Sequence, residues 1–302
     1  MIAAGYDLWR PTSGCGPTCL PVPDEVPAVS TARRLGRTTT GLGMLLGGAI
    51  LALLLPVLPA RERQVAIRGW ARATARALGV RLLVRGRLPR RRALLVANHA
   101  SWLDILAVLA VSPAPIVAKS EVRAWPLIGQ LASAAGTVFV DRSRPRDLPR
   151  TVARLAGVLR SGRPVAVFPE GTTWCGDAAD CRPGGGFRPA MFQAAVDAGA
   201  PVVPLRIGYR CAVTDATTTA AGFLGDETLW QSVRRVLAAR DLEVSVTIMG
   251  ALHPTADADR RILARAAESA VHLVPARVSS PARLRPLPRR PVLVERELDL
   301  AA

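Results

Sequence analysis

Ala93-Leu-Leu-Val-Ala-Asn-His-Ala-Ser-Trp-Leu-Asp104 changes its hydrophobic pattern halfway through. The apolar run from Ala93 to Ala97 has the length of a buried strand, and an apolar-periodic segment beginning near Ser101 has the spacing of a helix. His99 therefore falls in a strand-to-helix turn, where binding and catalytic groups are commonly displayed. Histidine changes charge near neutral pH, so an imidazole there can take a proton from an alcohol, and a carboxylate at Asp104 can fix its tautomer and steady the imidazolium. The same residues have a purely local reading. Ser101-Trp-Leu-Asp104 also fits a capping box, with Ser101 capping the helix and Asp104 reaching back from its third position.

Further blocks follow in order. They are Lys119-Ser-Glu121, Gly136-Thr-Val-Phe-Val-Asp-Arg142, Phe168-Pro-Glu-Gly-Thr172 and Ala200-Pro-Val-Val-Pro204. With His99 and Asp104, this set resembles the lysophosphatidic acid acyltransferases, also called 1-acyl-glycerol-3-phosphate O-acyltransferases, within the wider glycerolipid acyltransferases. The resemblance covers about residues 80 to 210. It implies that His99 is the general base and Asp104 its partner, and that Arg142, Glu170 and Gly171 help bind glycerol phosphate with Lys119 nearby. The implied reaction moves a fatty acyl group from acyl-CoA or acyl-ACP to the hydroxyl of lysophosphatidic acid.

The residue types suit those roles. A phosphomonoester calls for planar forked donors, which arginine supplies, and a lysine adds a compact point charge. Arg142 follows the β-rich run Thr137 to Val140, and its alternative is a salt bridge to Asp141 or Asp147. Lys119 is the chain's only lysine among 40 basic residues, which sets it apart from the arginines that make the other surface cations. Glu170 comes just after the apolar run Pro164 to Phe168, where a carboxylate is costly unless paired or functional. Gly171 lets backbone approach a ligand closely or simply makes a turn. Thr172 and Thr173 are expected as supporting groups, and Arg188 as a weaker acceptor-binding candidate. No Gly-x-Ser-x-Gly elbow is present, which disfavours a serine acyl-enzyme.

From Val80 to about Gly250, strand-like runs alternate with helical stretches, predicting an α/β domain with a largely parallel sheet flanked by helices. The domain is expected over residues 80–273, followed by a Pro/Arg-rich tail at 274–302. Ahead of it, 1–37 reads as a polar, flexible extension and 38–79 as membrane-associated. Thr38 to Ala60 carries no charge and is long enough to span a bilayer, although Pro56 and the glycines also allow an interfacial or re-entrant course. Arg61 to Leu78 has Ile67, Trp70, Ala71, Thr74 and Leu78 on one side and Arg68, Arg72 and Arg76 on another, the pattern of a basic amphipathic helix on anionic lipid. Arginines after the apolar run predict a cell-membrane protein whose catalytic domain faces the cytoplasm.

The net charge of +17 calls for an anionic partner. Aromatic residues are only 4% and no nucleic-acid module is recognisable, so a membrane surface is favoured over specific nucleic acid. Other lyso-lipid acceptors, including lyso-ornithine lipid, remain alternatives, as does a non-catalytic membrane-binding protein. No cofactor beyond the acyl-CoA or acyl-ACP cosubstrate is expected. Among the five cysteines, Cys175 and Cys181 cannot complete a zinc site as a pair and histidines are scarce, so reduced thiols and no metal are expected, with a Cys175–Cys181 link as the alternative.

Overall fold

The computed structural model describes residues 11–22, 25–89, 92–176, 181–182 and 186–272. The expected tail at 274–302 lies outside these residues. Its strands are β1 (Val80–Arg85), β2 (Leu94–Ala97), β3 (Val117–Lys119), β4 (Val138–Val140), β5 (Val165–Val167), β6 (Val202–Cys211), β7 (Ala216–Thr217) and β8 (Leu242–Ile248). The main sheet runs β1-β8-β6-β2-β5, with β7 added against β6 and a parallel β3-β4 pair continuing past β5 through the bridge from Ile116 to Ala166. Pairings β1-β8, β2-β6 and β2-β5 are parallel, whereas β6-β8 and β6-β7 are antiparallel. The sheet is thus largely parallel, as the alternation predicted.

β2 explains why the core has two halves. Its side chains alternate across the sheet and all four are buried, so Leu94 and Val96 join the core on one face while Leu95 and Ala97 join it on the other. The first face is covered by α5 (Leu148–Arg160), α6 (Gln193–Ala198) and α8 (Arg260–His272). The second is covered by α2 (Ala60–Ala77), α3 (Leu103–Val111) and α7 (Leu229–Ala238). Helix α4 (Ile128–Ala134) begins only after Pro126. Trp125 is extended because the ring of Pro126 disfavours helical backbone at the residue before it.

The N-terminal region departs from the sequence reading in two ways. Helix α1 (Thr31–Leu54) begins inside the segment expected to be a flexible extension, capped by the Ser30 hydroxyl, which accepts from the Arg33 N–H. Residues 11–22 also lie against the domain, where Pro11 meets Gly171. The second correction concerns α2. Its apolar stripe does not face lipid: Ala71, Thr74, Ala75 and Leu78 are buried, and Ile67 and Trp70 pack against the same core. Burying that stripe against protein leaves only the arginine side, with Arg72 and Arg76 exposed, to meet an anionic surface. The apolar exposure belongs instead to α1, whose Leu42, Leu46, Ile50 and Leu53 face outward. This 24-residue helix is about 36 Å long at 1.5 Å per residue and is a candidate membrane segment.

Helices α1 and α2 form a hairpin keyed at Gly48. The Trp70 indole donates to the Met44 carbonyl at 2.9 Å, and a Cβ on Gly48 would stand 2.8 Å from its ring. Overpacking of this kind costs about 1–3 kcal/mol, so Gly48→Leu should lower the unfolding free energy by roughly that amount. Denaturant titration in detergent, with Arg72→Gln as a surface control changing it by less than about 0.5 kcal/mol, checks this.

Candidate active site

Parallel pairing of β2 with β5 sends their following loops out at the same end of the sheet. His99 lies two residues past β2, and Glu170 three past β5. Lys119 ends β3 and Arg142 comes two residues after β4, which is parallel to it. Asn98 secures the first loop sideways: its amide donates to the Ile207 carbonyl and its carbonyl accepts from the Ile207 N–H, both at 2.8 Å.

His99 and Asp104 form the expected pair, with Nδ1 of the ring 2.8 Å from Oδ2 of the carboxylate. The Asp104 side chain has 0% exposure, so its charge has to be met by donors. Oδ2 also accepts the Ala100 and Ser101 N–H groups at 2.8 and 2.9 Å, and Oδ1 accepts the Tyr209 hydroxyl from β6. Meanwhile the Ser101 hydroxyl accepts the Leu103 N–H at 3.1 Å. One carboxylate thus both closes the helix start and orients the imidazole. An ionised carboxylate has only acceptors to offer, so in the neutral imidazole the proton of this contact sits on Nδ1 and Nε2 keeps its lone pair. The ring stacks on Phe168 with centroids 4.1 Å apart, and its side chain is 20% exposed.

Glu170 holds the His99 turn from the other side. Oε2 accepts the His99 backbone N–H at 2.7 Å, and Oε1 lies 3.1 Å from Nε2 of His272 on α8. Each oxygen is engaged within the protein, so Glu170 positions the backbone of the His99 turn. Gly171, at φ +77°, turns the chain so that its carbonyl accepts from Nη2 of Arg142 at 2.6 Å. Thr172 is half-buried beside it, and the Thr173 hydroxyl donates to the Phe223 carbonyl. Arg188 donates its N–H to Pro169 at 3.0 Å, and its Nε approaches to 3.5 Å from where a Gly171 Cβ would be.

Lys119 and Arg142 line a cleft of about 470 Å³ together with Pro11, Thr12, Ser120, Glu121, Asp141 and Ser143. Lys119 is exposed and Arg142 half-buried. Burial lowers the Arg142 guanidinium from its ordinary value, opposed by the charge of Glu121, yet guanidinium begins so far above neutrality that it stays protonated. Glu121 is held below the usual carboxylate range by a hydrogen bond from its own N–H and, less strongly, by Ser120, Lys119 and Arg142. The cleft thus presents both signs of charge.

Two contributors, Tyr209 and His272, lie outside every quoted block, and for Phe168 and Asn98, which lie inside blocks, the sequence did not show the stacking and bridging roles. Tyr209 lies on β6 and His272 on α8, and only folding brings them to the turn. The cysteines form a larger group than the local pair suggests. Cys175 and Cys181 are free thiols, and the chain brings Cys15 and Cys19 to them, so the sequence count of one local pair missed half of the group.

Known proteins of similar sequence and fold are acyltransferases. A family model described as Acyltransferase matches residues 81–208. A lyso-ornithine lipid O-acyltransferase of Pseudomonas aeruginosa is 38% identical over 247 residues, covering 80% of this chain and 91% of its own. A 1-acyl-sn-glycerol-3-phosphate acyltransferase of Neisseria gonorrhoeae is 33% identical over 183 residues, covering 60% and 68%. The crystal structure of the 1-acyl-sn-glycerophosphate acyltransferase of Thermotoga maritima has the same fold, with a TM-score of 0.60 at 20% identity over 80% of this chain and 92% of that one.

Tyr209→Phe removes a donor from a buried carboxylate, which costs about 1–3 kcal/mol of stability. Burial first, and then the Asp104 charge, raise the Tyr209 hydroxyl well above its ordinary value. Folded protein therefore holds this proton where the unfolded chain releases it, so stability is full below about pH 10 and falls as pH rises beyond it. Chemical unfolding between neutral and alkaline pH should show that decline in the parent and a smaller one in Tyr209→Phe.

Proposed function

The chain belongs to the acyltransferase family, and from that premise we propose that it moves a fatty acyl group from acyl-CoA or acyl-ACP to the hydroxyl of a lyso-lipid, with lyso-ornithine lipid as the preferred acceptor. The observation that carries the chemistry is the His99–Asp104 pair with Nε2 left as the acceptor. Nε2 takes the hydroxyl proton while the oxygen attacks the thioester carbonyl carbon. A C–O bond forms and the carbonyl oxygen takes up the negative charge of a tetrahedral intermediate. Collapse then breaks the C–S bond, and the imidazolium returns its proton to the departing thiolate. Asp104 steadies the imidazolium in between, while Glu170 holds the backbone of the base in place.

The acceptor reading rests on the charge mixture of the cleft and on the name of the relative. An ornithine head group carries an ammonium and a carboxylate, which can be met by Glu121 on one hand and by Lys119 and Arg142 on the other. A dianionic phosphate gains from the two cations but is opposed by Glu121 and Asp141. Lysophosphatidic acid is the second reading, favoured by the forked donor of Arg142 beside Lys119. The outward apolar side of α1 supports a membrane location with an anionic lipid surface as partner. Arg61 and Arg63, which follow that helix, support a cytoplasmic side for the catalytic domain.

Steady-state transfer to lyso-ornithine lipid and to lysophosphatidic acid, with matched acyl chains and both donors, tests the acceptor. The expected outcome is a higher kcat/KM for lyso-ornithine lipid, and a reversed preference overturns that choice. Transfer to neither would point to a non-catalytic membrane-binding protein. His99→Ala should lower kcat at least about 100-fold, the lower end of what a positioned base contributes. Arg142→Ala should raise KM for the acceptor more than for the thioester, because it removes a contact made already in the ground state. Unchanged acceptor saturation in that variant, shown folded by circular dichroism, would remove Arg142 from the acceptor site.

A further inference from the structure

Four of the five cysteines come from two stretches far apart in sequence and meet beside the catalytic loop. Cys15 precedes and Cys19 ends a single helical turn, Pro17–Cys19, while Cys175 and Cys181 belong to the stretch that follows Gly171. All four Sγ atoms lie within 4.8 Å of one another, and those of Cys19 and Cys181 are 3.4 Å apart. A tetrahedral zinc ion with Zn–S bonds of about 2.3 Å has its sulfurs about 3.8 Å apart, so rotamer-sized adjustments bring all four thiols to that geometry. Two disulfides would instead require each bonded pair to close to about 2.05 Å.

The surroundings are those of a thiolate centre. Cys15 and Cys181 are buried with Trp174 and Leu224, and Cys19, Leu20 and Cys175 pack against them, which shields the sulfurs from water. The Cys175 N–H donates to Cys15 Sγ at 3.1 Å, the kind of outer contact that spreads the charge of a ligating sulfur. Every ligand position is filled by protein, so the site is closed in the manner of a structural ion. Four thiolates suit either zinc or iron. Zinc is the better match, since acyl transfer moves no electrons for an iron–thiolate centre to carry.

We propose that Cys15, Cys19, Cys175 and Cys181 bind one structural zinc ion that fastens residues 11–22 to the loop behind the catalytic base. Binding exchanges four S–H bonds for four Zn–S bonds and releases the four protons to solvent, with no change of oxidation state. The location gives the ion its purpose. Pro11 and Thr12 wall the cleft that holds Lys119 and Arg142, and the Pro11 ring lies against Gly171. On the other side, the Trp174 N–H donates to the His99 carbonyl at 3.1 Å. The ion thus ties one wall of the cleft to the turn that carries the base, whichever lyso-lipid is accepted.

Metal content of the full-length protein, purified in detergent under reducing conditions and desalted, decides the matter independently of any transfer assay. One zinc per chain is expected by elemental mass spectrometry. Cys19→Ser and Cys181→Ser should each lower that occupancy several-fold, while Cys211→Ser should retain it, since Cys211 is buried elsewhere against the Arg240 carbonyl. Replacing zinc with cobalt should produce thiolate-to-cobalt charge transfer and the intense visible bands of a tetrahedral ion, a measurement on the parent chain that needs no variant to fold. Removal of the ion with a chelator should speed amide exchange in residues 11–22 at least tenfold. Metal-free protein with disulfides found by mass spectrometry overturns the proposal. So does iron in place of zinc, or zinc content indifferent to both cysteine substitutions.

Discussion

Asp104 carries a charge into a place with no solvent exposure, and the surrounding elements are arranged to meet it. A buried carboxylate survives only if its lone pairs are occupied, and the donors here come from three directions: the backbone of its own helix start, the ring of His99 and the phenol of Tyr209 on β6. That requirement fixes the tautomer of the base and its orientation together. It also links helix capping to the orientation of the His99 ring, so that disturbing either disturbs the other. Glu170 repeats the device one strand away, with its two oxygens divided between the His99 backbone and His272.

The sheet makes this possible at small cost. Because β2 is flanked by β5 and β6, both parallel to it, three chain segments run out at one end and can supply groups to a common point. The two apolar cores hold the strands rigidly on both faces, so the turns at their ends are positioned by packing as well as by local hydrogen bonds. Cations arrive by the same route, from the ends of β3 and β4. Base and cleft are consequently joined through consecutive residues, Glu170 touching the first and Gly171 the second.

The N-terminal elements show how one pattern can serve two surfaces. An amphipathic helix shows only that a stripe of apolar residues must be covered. In α2 the cover is the protein core, whereas in α1 the outward leucines have no such cover from the described residues. The hairpin keyed by Gly48 and Trp70 holds the exposed helix to the buried one. The exposed helix is thereby joined to the α/β domain, with Arg37 adding two hydrogen bonds from α1 to the carbonyls of Leu237 and Ala239 at the end of α7.

By itself the sequence determined those features whose causes are local. Alternation of apolar strands with helices established the largely parallel α/β domain, and residue order placed His99, Arg142 and Glu170 beyond strand ends. The i, i+5 spacing of His99 and Asp104 was legible because a single turn spans it. Tertiary structure decided what depends on partners distant in the chain. It brought Tyr209 to Asp104 and His272 to Glu170 across 105 and 102 residues, and the Cys15 pair to the Cys175 pair. It also turned Glu170 inward and covered the stripe of α2. Periodicity records that a face or a charge has to be satisfied; which group satisfies it follows only from how strands and helices come together, since no local pattern encodes a neighbour reached through the whole fold.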